Sequence, residues 1–141
     1  MRILFLDDMQ ARHAAAAFWF EGQELVAVCT AHAAIEALRG PRFDVVMLDH
    51  DLAEEHYLTL SEGLSEDRAD AEAEYLCGTG MDVVDFLVEQ KRANAPNLPS
   101  QIIVHSWNPV RSPEMHRRLL EAGLRSYKIM FHPYRCPIKF G

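Results

Sequence analysis

Acids, imidazoles and a hydroxyl follow directly on short apolar runs at three places in the chain. Ile3 Leu4 Phe5 Leu6 precedes Asp7 and Asp8; Val45 Val46 Met47 Leu48 precedes Asp49, His50 and Asp51; Ile102 Ile103 Val104 precedes His105 and Ser106, with Asn108 two residues on. Carboxylates delivered from separate strands to one edge repel each other unless a hard cation sits among them, and Mg²⁺ or Mn²⁺ suits an all-oxygen set. Asp7, Asp8, Asp49 and Asp51 are the candidate ligands. A metal of that kind bridges phosphate oxygens and activates water. Imidazoles titrate near neutral pH, so His50, His105 and His132 are candidates for proton transfer, with His50 first because two acids flank it. The Ser106 hydroxyl and the Asn108 amide can contact phosphate oxygens.

The elements that must position these groups read as alternating strands and helices. Four apolar β-formers in a row need cover on both faces, which calls for a buried parallel strand. Strands are expected at 2–6, 24–28, 43–48, 101–104 and 124–131. Helices are expected at about 10–19, with Ala11, Ala15, Phe18 and Trp19 on its apolar face, and at 31–39 behind Thr30 as N-cap. A third helix is expected from about Met81, and a fourth starts at Ser112 Pro113 Glu114, carries Met115, Leu119 and Leu120, and stops at Gly123. This is an α/β chain with a five-stranded parallel sheet in the flavodoxin-like order 2-1-3-4-5, a three-layer sandwich whose ligands sit at the carboxyl edge. Residues 1–141 form one domain on this reading, and the acidic stretch 53–79 is an insertion after the third strand, expected to act as a lid over the site.

Bulk properties narrow the function classes. The net charge is −7, which argues against general DNA binding, but it is unevenly spread. Residues 44–89 hold fourteen acids against one base, Arg68, whereas 101–141 hold seven bases against two acids. An acidic middle suits a cation and a basic end suits a phosphate. The apolar run at the start is too short for a signal peptide or a membrane span, so a cytoplasmic protein with no membrane partner is expected. Cys29, Cys77 and Cys136 are widely spaced without a CxxC pair, and read as buried, reduced thiols. His13, His32 and His116 fall on the helices and are assigned to the surface.

The order and spacing of these groups resemble the response-regulator receiver family. Asp7 and Asp8 match its acidic metal-binding pair, Asp49 its phospho-accepting aspartate, Ser106 its conserved hydroxyl, and Gly80 the glycine opening its third helix. Receivers carry a lysine before the proline that follows the last strand; here His132 stands before Pro133. The phrases LDHDL at 48–52 and VHSWNP at 104–109 resemble a divergent branch, the cyclic-phosphate-processing receiver-like domains. That resemblance implies action on nucleotide-type phosphates in place of phosphoryl relay from a kinase. Three functions follow. The first is a metal-dependent hydrolase of a nucleotide or cyclic phosphate, whose partner is a phosphate-containing small molecule or nucleotide end. The second is a stand-alone receiver phosphorylated on Asp49 and acting through a protein partner. The third is a non-catalytic module that binds a nucleotide or protein.

Overall fold

The computed structural model describes residues 1–52 and 78–138. The strands are β1 (Arg2–Leu6), β2 (Glu24–Val28), β3 (Val45–Leu48), β4 (Gln101–Val104) and β5 (Ser126–Lys128). Between them lie four helices among the described residues: α1 (Gln10–Trp19), α2 (Ala31–Leu38), α3 (Gly80–Arg92) and α4 (Arg111–Glu121). All strands are parallel, in the order β2-β1-β3-β4-β5. The sheet order matches the sequence-based expectation. The expected lid, 53–79, lies outside the described residues except for Gly78 and Thr79.

Period-two alternation along the central strands builds a different core on each face of the sheet. Leu4, Leu6, Val46, Leu48, Ile102 and Val104 face α2, α3 and α4, whose Ala34, Val84, Leu87, Met115 and Leu119 are buried against them. Ile3, Phe5, Val45, Met47 and Ile103 face Ala16 and Trp19 of α1. The rest of that second face is covered by the C-terminal segment, through Phe131, Cys136 and Ile138. Each fully buried Leu, Ile or Phe side chain contributes about 1.5–3 kcal/mol, so the three central strands anchor the molecule.

Several element boundaries differ from the sequence reading, each for a physical reason. Strand β3 starts at Val45 because the Asp44 side chain turns back to accept from Arg2 N at 2.7 Å, although Phe43 is fully buried beside it. β5 is three residues, not eight, since after Ile129, whose N–H still donates to Val104 O at 2.9 Å, the chain leaves the sheet to pack over the α1 face. Of the expected apolar face, Ala11 and Phe18 are exposed: the inward stripe of α1 is Arg12, Ala16 and Trp19, at helical spacing, with an arginine among its buried residues. Leu120 is likewise exposed. Ser112 is not the N-cap of α4 but lies buried inside its first turn, and Asn108 Oδ1 accepts from Val110 N (3.1 Å) and Arg111 N (2.8 Å) instead. Cys29 is exposed and Cys136 half-buried, so neither is the buried thiol that was expected; Cys77 lies outside the described residues. No helix among the described residues is long and apolar enough to cross a membrane.

Gly80 fixes the approach of α3 to β3. Its N–H donates to the His50 carbonyl at 3.0 Å, and a Cβ there would collide with the backbone carbonyl of Asp49. Only glycine lets the helix start this close to the strand end. Asp82 completes the junction by accepting from Thr79 N at 2.9 Å.

Candidate functional site

Parallel register places the polar residues in a row. Leu6, Leu48 and Val104 are aligned rungs of the sheet, so the residues after them, Asp7, Asp49 and His105, meet at its carboxyl edge. Backbone bonds hold that edge one residue further: Asp49 N donates to Leu6 O (3.1 Å) and His105 N to Leu48 O (3.0 Å). The alternation of the strands turns these three side chains to the α1 face, where Phe5 and Arg12 lie. One carboxylate oxygen each from Asp7, Asp8 and Asp49 lies within 4.8 Å of the others, a group that can hold a metal ion.

Arg12 is the functional residue that the sequence reading missed. It is nearly buried, with Nη1 3.1 Å from Asp7 Oδ2 and 3.7 Å from Asp49 Oδ2. Its guanidinium carbon lies 4.8 Å from the Trp107 ring centroid and 4.9 Å from that of Phe131. Where the receiver pattern has a lysine after the last strand, the cation beside these acids comes from the first helix, against two aromatic faces. The signal was present in the sequence as Arg12, Ala16 and Trp19 spaced four and three residues apart on one helix face.

Charge at the site is unevenly compensated. Burial pushes the Asp49 carboxyl up to about 8, reinforced by the nearby charges of Asp7, Asp8 and Asp51 and only partly offset by Arg12. Burial works in the same direction on Asp7, but hydrogen bonds from His105 and from Met9 N, with the Arg12 charge, hold it below the usual carboxylate range. Asp7, Asp8 and Asp49 thus bring three carboxylates together beside one nearly buried guanidinium, Arg12. The donors are all oxygen, which fits a hard ion and not a thiophilic one.

The histidines take three different positions. His105 is fully buried and stacked on Phe5, with ring centroids 5.0 Å apart, and burial lowers its pKa. A neutral imidazole there donates from Nε2 to Asp7 Oδ2 at 3.0 Å, leaving Nδ1 without a partner among the described residues. His50, nearly buried, holds Asp51 Oδ1 through Nδ1 at 2.8 Å. His132 is exposed; its ring meets Tyr134, and the structure does not bring it to the carboxylates. Of the histidines expected at the surface, His32 is exposed, but His13 is half-buried with Nε2 2.6 Å from the Asp7 carbonyl and His116 is half-buried with Nδ1 2.8 Å from Ser126 Oγ.

Asp51 stands apart from the three clustered carboxylates. The hydrogen bond from His50, followed by that from Asn108 Nδ2 (3.2 Å), holds its carboxyl below the usual range despite partial burial. Ser106 is buried at the start of the next loop, where its Oγ accepts from Asn108 N at 3.2 Å. Asp51, expected among the metal ligands, instead braces His50 against Asn108.

Solved structures share this architecture. A CheY-like response regulator receiver domain protein from Methanospirillum hungatei superposes with a TM-score of 0.57 at 18% identity, over 94% of this chain and 83% of that one. Chemotaxis protein CheY4 of Vibrio cholerae gives 0.58 at 15% identity, over 94% of this chain and 88% of its own. At such identities the likeness shows the fold. No curated protein sequence matches the chain. The family model described as the cyclic-phosphate processing receiver domain matches residues 2–121, the span that holds Asp7, Arg12, Asp49, His50, His105 and Ser106, and the chain belongs to that family.

Proposed function

We propose that the protein is a metal-dependent phosphoesterase that opens or removes a phosphate ester, a cyclic one in the first instance, on a nucleotide-type substrate. The observation that carries this reading is a histidine held by a carboxylate, His50 Nδ1 to Asp51 at 2.8 Å, in the same loop as a clustered carboxylate, Asp49. A phosphoryl relay needs no such imidazole; proton transfer to or from an ester oxygen does.

Asp7, Asp8 and Asp49 would hold Mg²⁺ or Mn²⁺, which when bound supplies a Lewis acid for the phosphoryl oxygens and lowers the pKa of water. The chain's own groups do the rest. Asp51 fixes the His50 ring and leaves Nε2 as the atom that moves a proton. Arg12 sits against the carboxylates and offers positive charge to a developing phosphoryl anion, and Ser106 and Asn108, in the loop after β4, are the candidate neutral contacts to its oxygens. His105, buried on Asp7, positions that carboxylate and does not reach substrate. The exposed His132 is left as a residue of the outer approach.

The test is turnover of a panel of cyclic and linear nucleotides with Mn²⁺, on wild type, His50→Ala and Asp49→Asn. His50→Ala is expected to lose about 10²–10⁴ in rate with Mn²⁺ affinity kept, and Asp49→Asn to lose both. Full rate in His50→Ala would remove the imidazole from the mechanism. If no ester is cleaved and acetyl phosphate labels Asp49 stably, the protein is a signalling receiver.

A further inference from the structure

Trp107 is large, apolar and 59% exposed, yet it sits one residue from Ser106 at the edge of the site. One of its faces is taken by the Arg12 guanidinium at 4.8 Å, which also lies over the ring of the buried Phe131 at 4.9 Å. Phe131, Arg12 and Trp107 thus form a stack rooted in the core and tied to Asp7 and Asp49 by the arginine's ion pairs. A free surface tryptophan would turn on its two side-chain bonds; this one is held beside the cation that faces the phosphate-handling groups. An indole backed by a cation and open to solvent offers a flat surface for a second aromatic ring.

We infer that Trp107 is the stacking platform for the base of the substrate, so that the enzyme takes nucleosidic phosphates in preference to phosphate esters that lack an aromatic ring. The inference rests on the phosphoesterase reading for the placement of the phosphate. Ser106 and Arg12 lie at the phosphate, and Trp107, between Ser106 and Asn108 in sequence, meets the base one sugar away. Stacking is indifferent to base identity, so purines and pyrimidines both bind, and larger rings bind tighter. A ring that only shielded Arg12 from water would act equally on every phosphate ester.

The experiment is calorimetric binding in Mg²⁺ of AMP and 2′,3′-cyclic AMP against ribose 5-phosphate and the cyclic phosphate of methyl riboside. It is run on the full-length wild type, Trp107→Ala and Trp107→Phe. Trp107→Ala is expected to weaken the two nucleotides roughly 5- to 150-fold and the base-free compounds far less, with Trp107→Phe recovering most of the loss. Equal weakening of both classes would make the ring a cover for Arg12 and overturn the inference. Equal affinity of wild type for both classes, or no binding of either, would also overturn it. Turnover separates the two readings. Trp107-dependent nucleotide binding without cleavage of any ester keeps the platform and removes the phosphoesterase. Cleavage that ignores the base, with no effect of Trp107→Ala, does the reverse.

Discussion

Arg12 decides the electrostatics of the site. It is nearly buried between Asp7 and Asp49, where removing one partner of an ion pair leaves uncompensated charge. Arg12→Met keeps the length and apolar stem of the side chain and deletes only the guanidinium. The metal-free variant is expected to lose about 3–5 kcal/mol, the usual cost of breaking a buried pair. The same change removes a positive charge from beside an incoming cation, so the stabilisation by saturating Mg²⁺ should grow. Thermal unfolding with and without Mg²⁺ reads both effects, and an Mg²⁺ shift no larger than that of wild type would remove Arg12 from the charge balance. The sequence did carry Arg12, but an arginine in an alanine-rich helix reads as a solvated residue until the helix is docked. The acids and His50 were legible because they follow strands directly; Arg12 reaches them from another element.

At the scale of elements, Asn108 links a helix to the loop that carries His50 and Asp51. Its Oδ1 accepts from Val110 N and Arg111 N at the start of α4, while its Nδ2 donates to Asp51, which in turn holds His50. The two halves of the amide can be tested apart. Asn108→Asp keeps an oxygen for the helix start, and aspartate caps as well as asparagine. It replaces the donor by a second carboxylate against Asp51, and so frees His50 to turn. The expected result is helical content equal to wild type by circular dichroism with turnover lowered about tenfold or more, whereas Asn108→Ala should also lose about 0.5–2 kcal/mol of stability through the helix start. Unchanged turnover in Asn108→Asp would mean that His50 needs no brace from α4. This linkage was not readable from sequence, where Ser112 Pro113 Glu114 looked the better helix start. The loop 105–110 is set by long-range partners, and local capping rules see only neighbours. Strand order, by contrast, followed from βα alternation and crossover handedness alone, and β5 was misread in length because nothing local says where a strand leaves its sheet.

For the whole molecule, the buried Asp49 carboxyl makes the stability of the metal-free fold depend on pH. The Asp49 carboxyl is pushed up to about 8 by burial and by neighbouring acids, against an ordinary unfolded value near 4. Between those values the folded chain keeps a proton that the unfolded chain has lost, so this group's contribution is full below about pH 4 and is lost as pH rises towards 8. His105 acts in the opposite sense, because burial lowers its pKa and it enters the fold neutral. Its contribution is present above its unfolded value of about 6.5 and is lost as pH falls below that. Asp7 and Asp51, both held low, lose theirs only in acid below about pH 4. Between pH 6.5 and 8 Asp49 is therefore unopposed among these groups. The metal-free protein should lose up to about 2 kcal/mol of stability across that window, at 1.36 kcal/mol per unit. Asp49→Asn should flatten the slope and raise the melting temperature at pH 8. Saturating Mg²⁺ should flatten it too, since a bound cation holds the carboxylate ionised in the fold. Melting curves in chelator at pH 6.5, 7.2 and 8 measure this directly. A stability that rises with pH across that range in the wild type, or a slope that survives in Asp49→Asn, would show that Asp49 is already ionised and that its compensation comes from groups other than a metal.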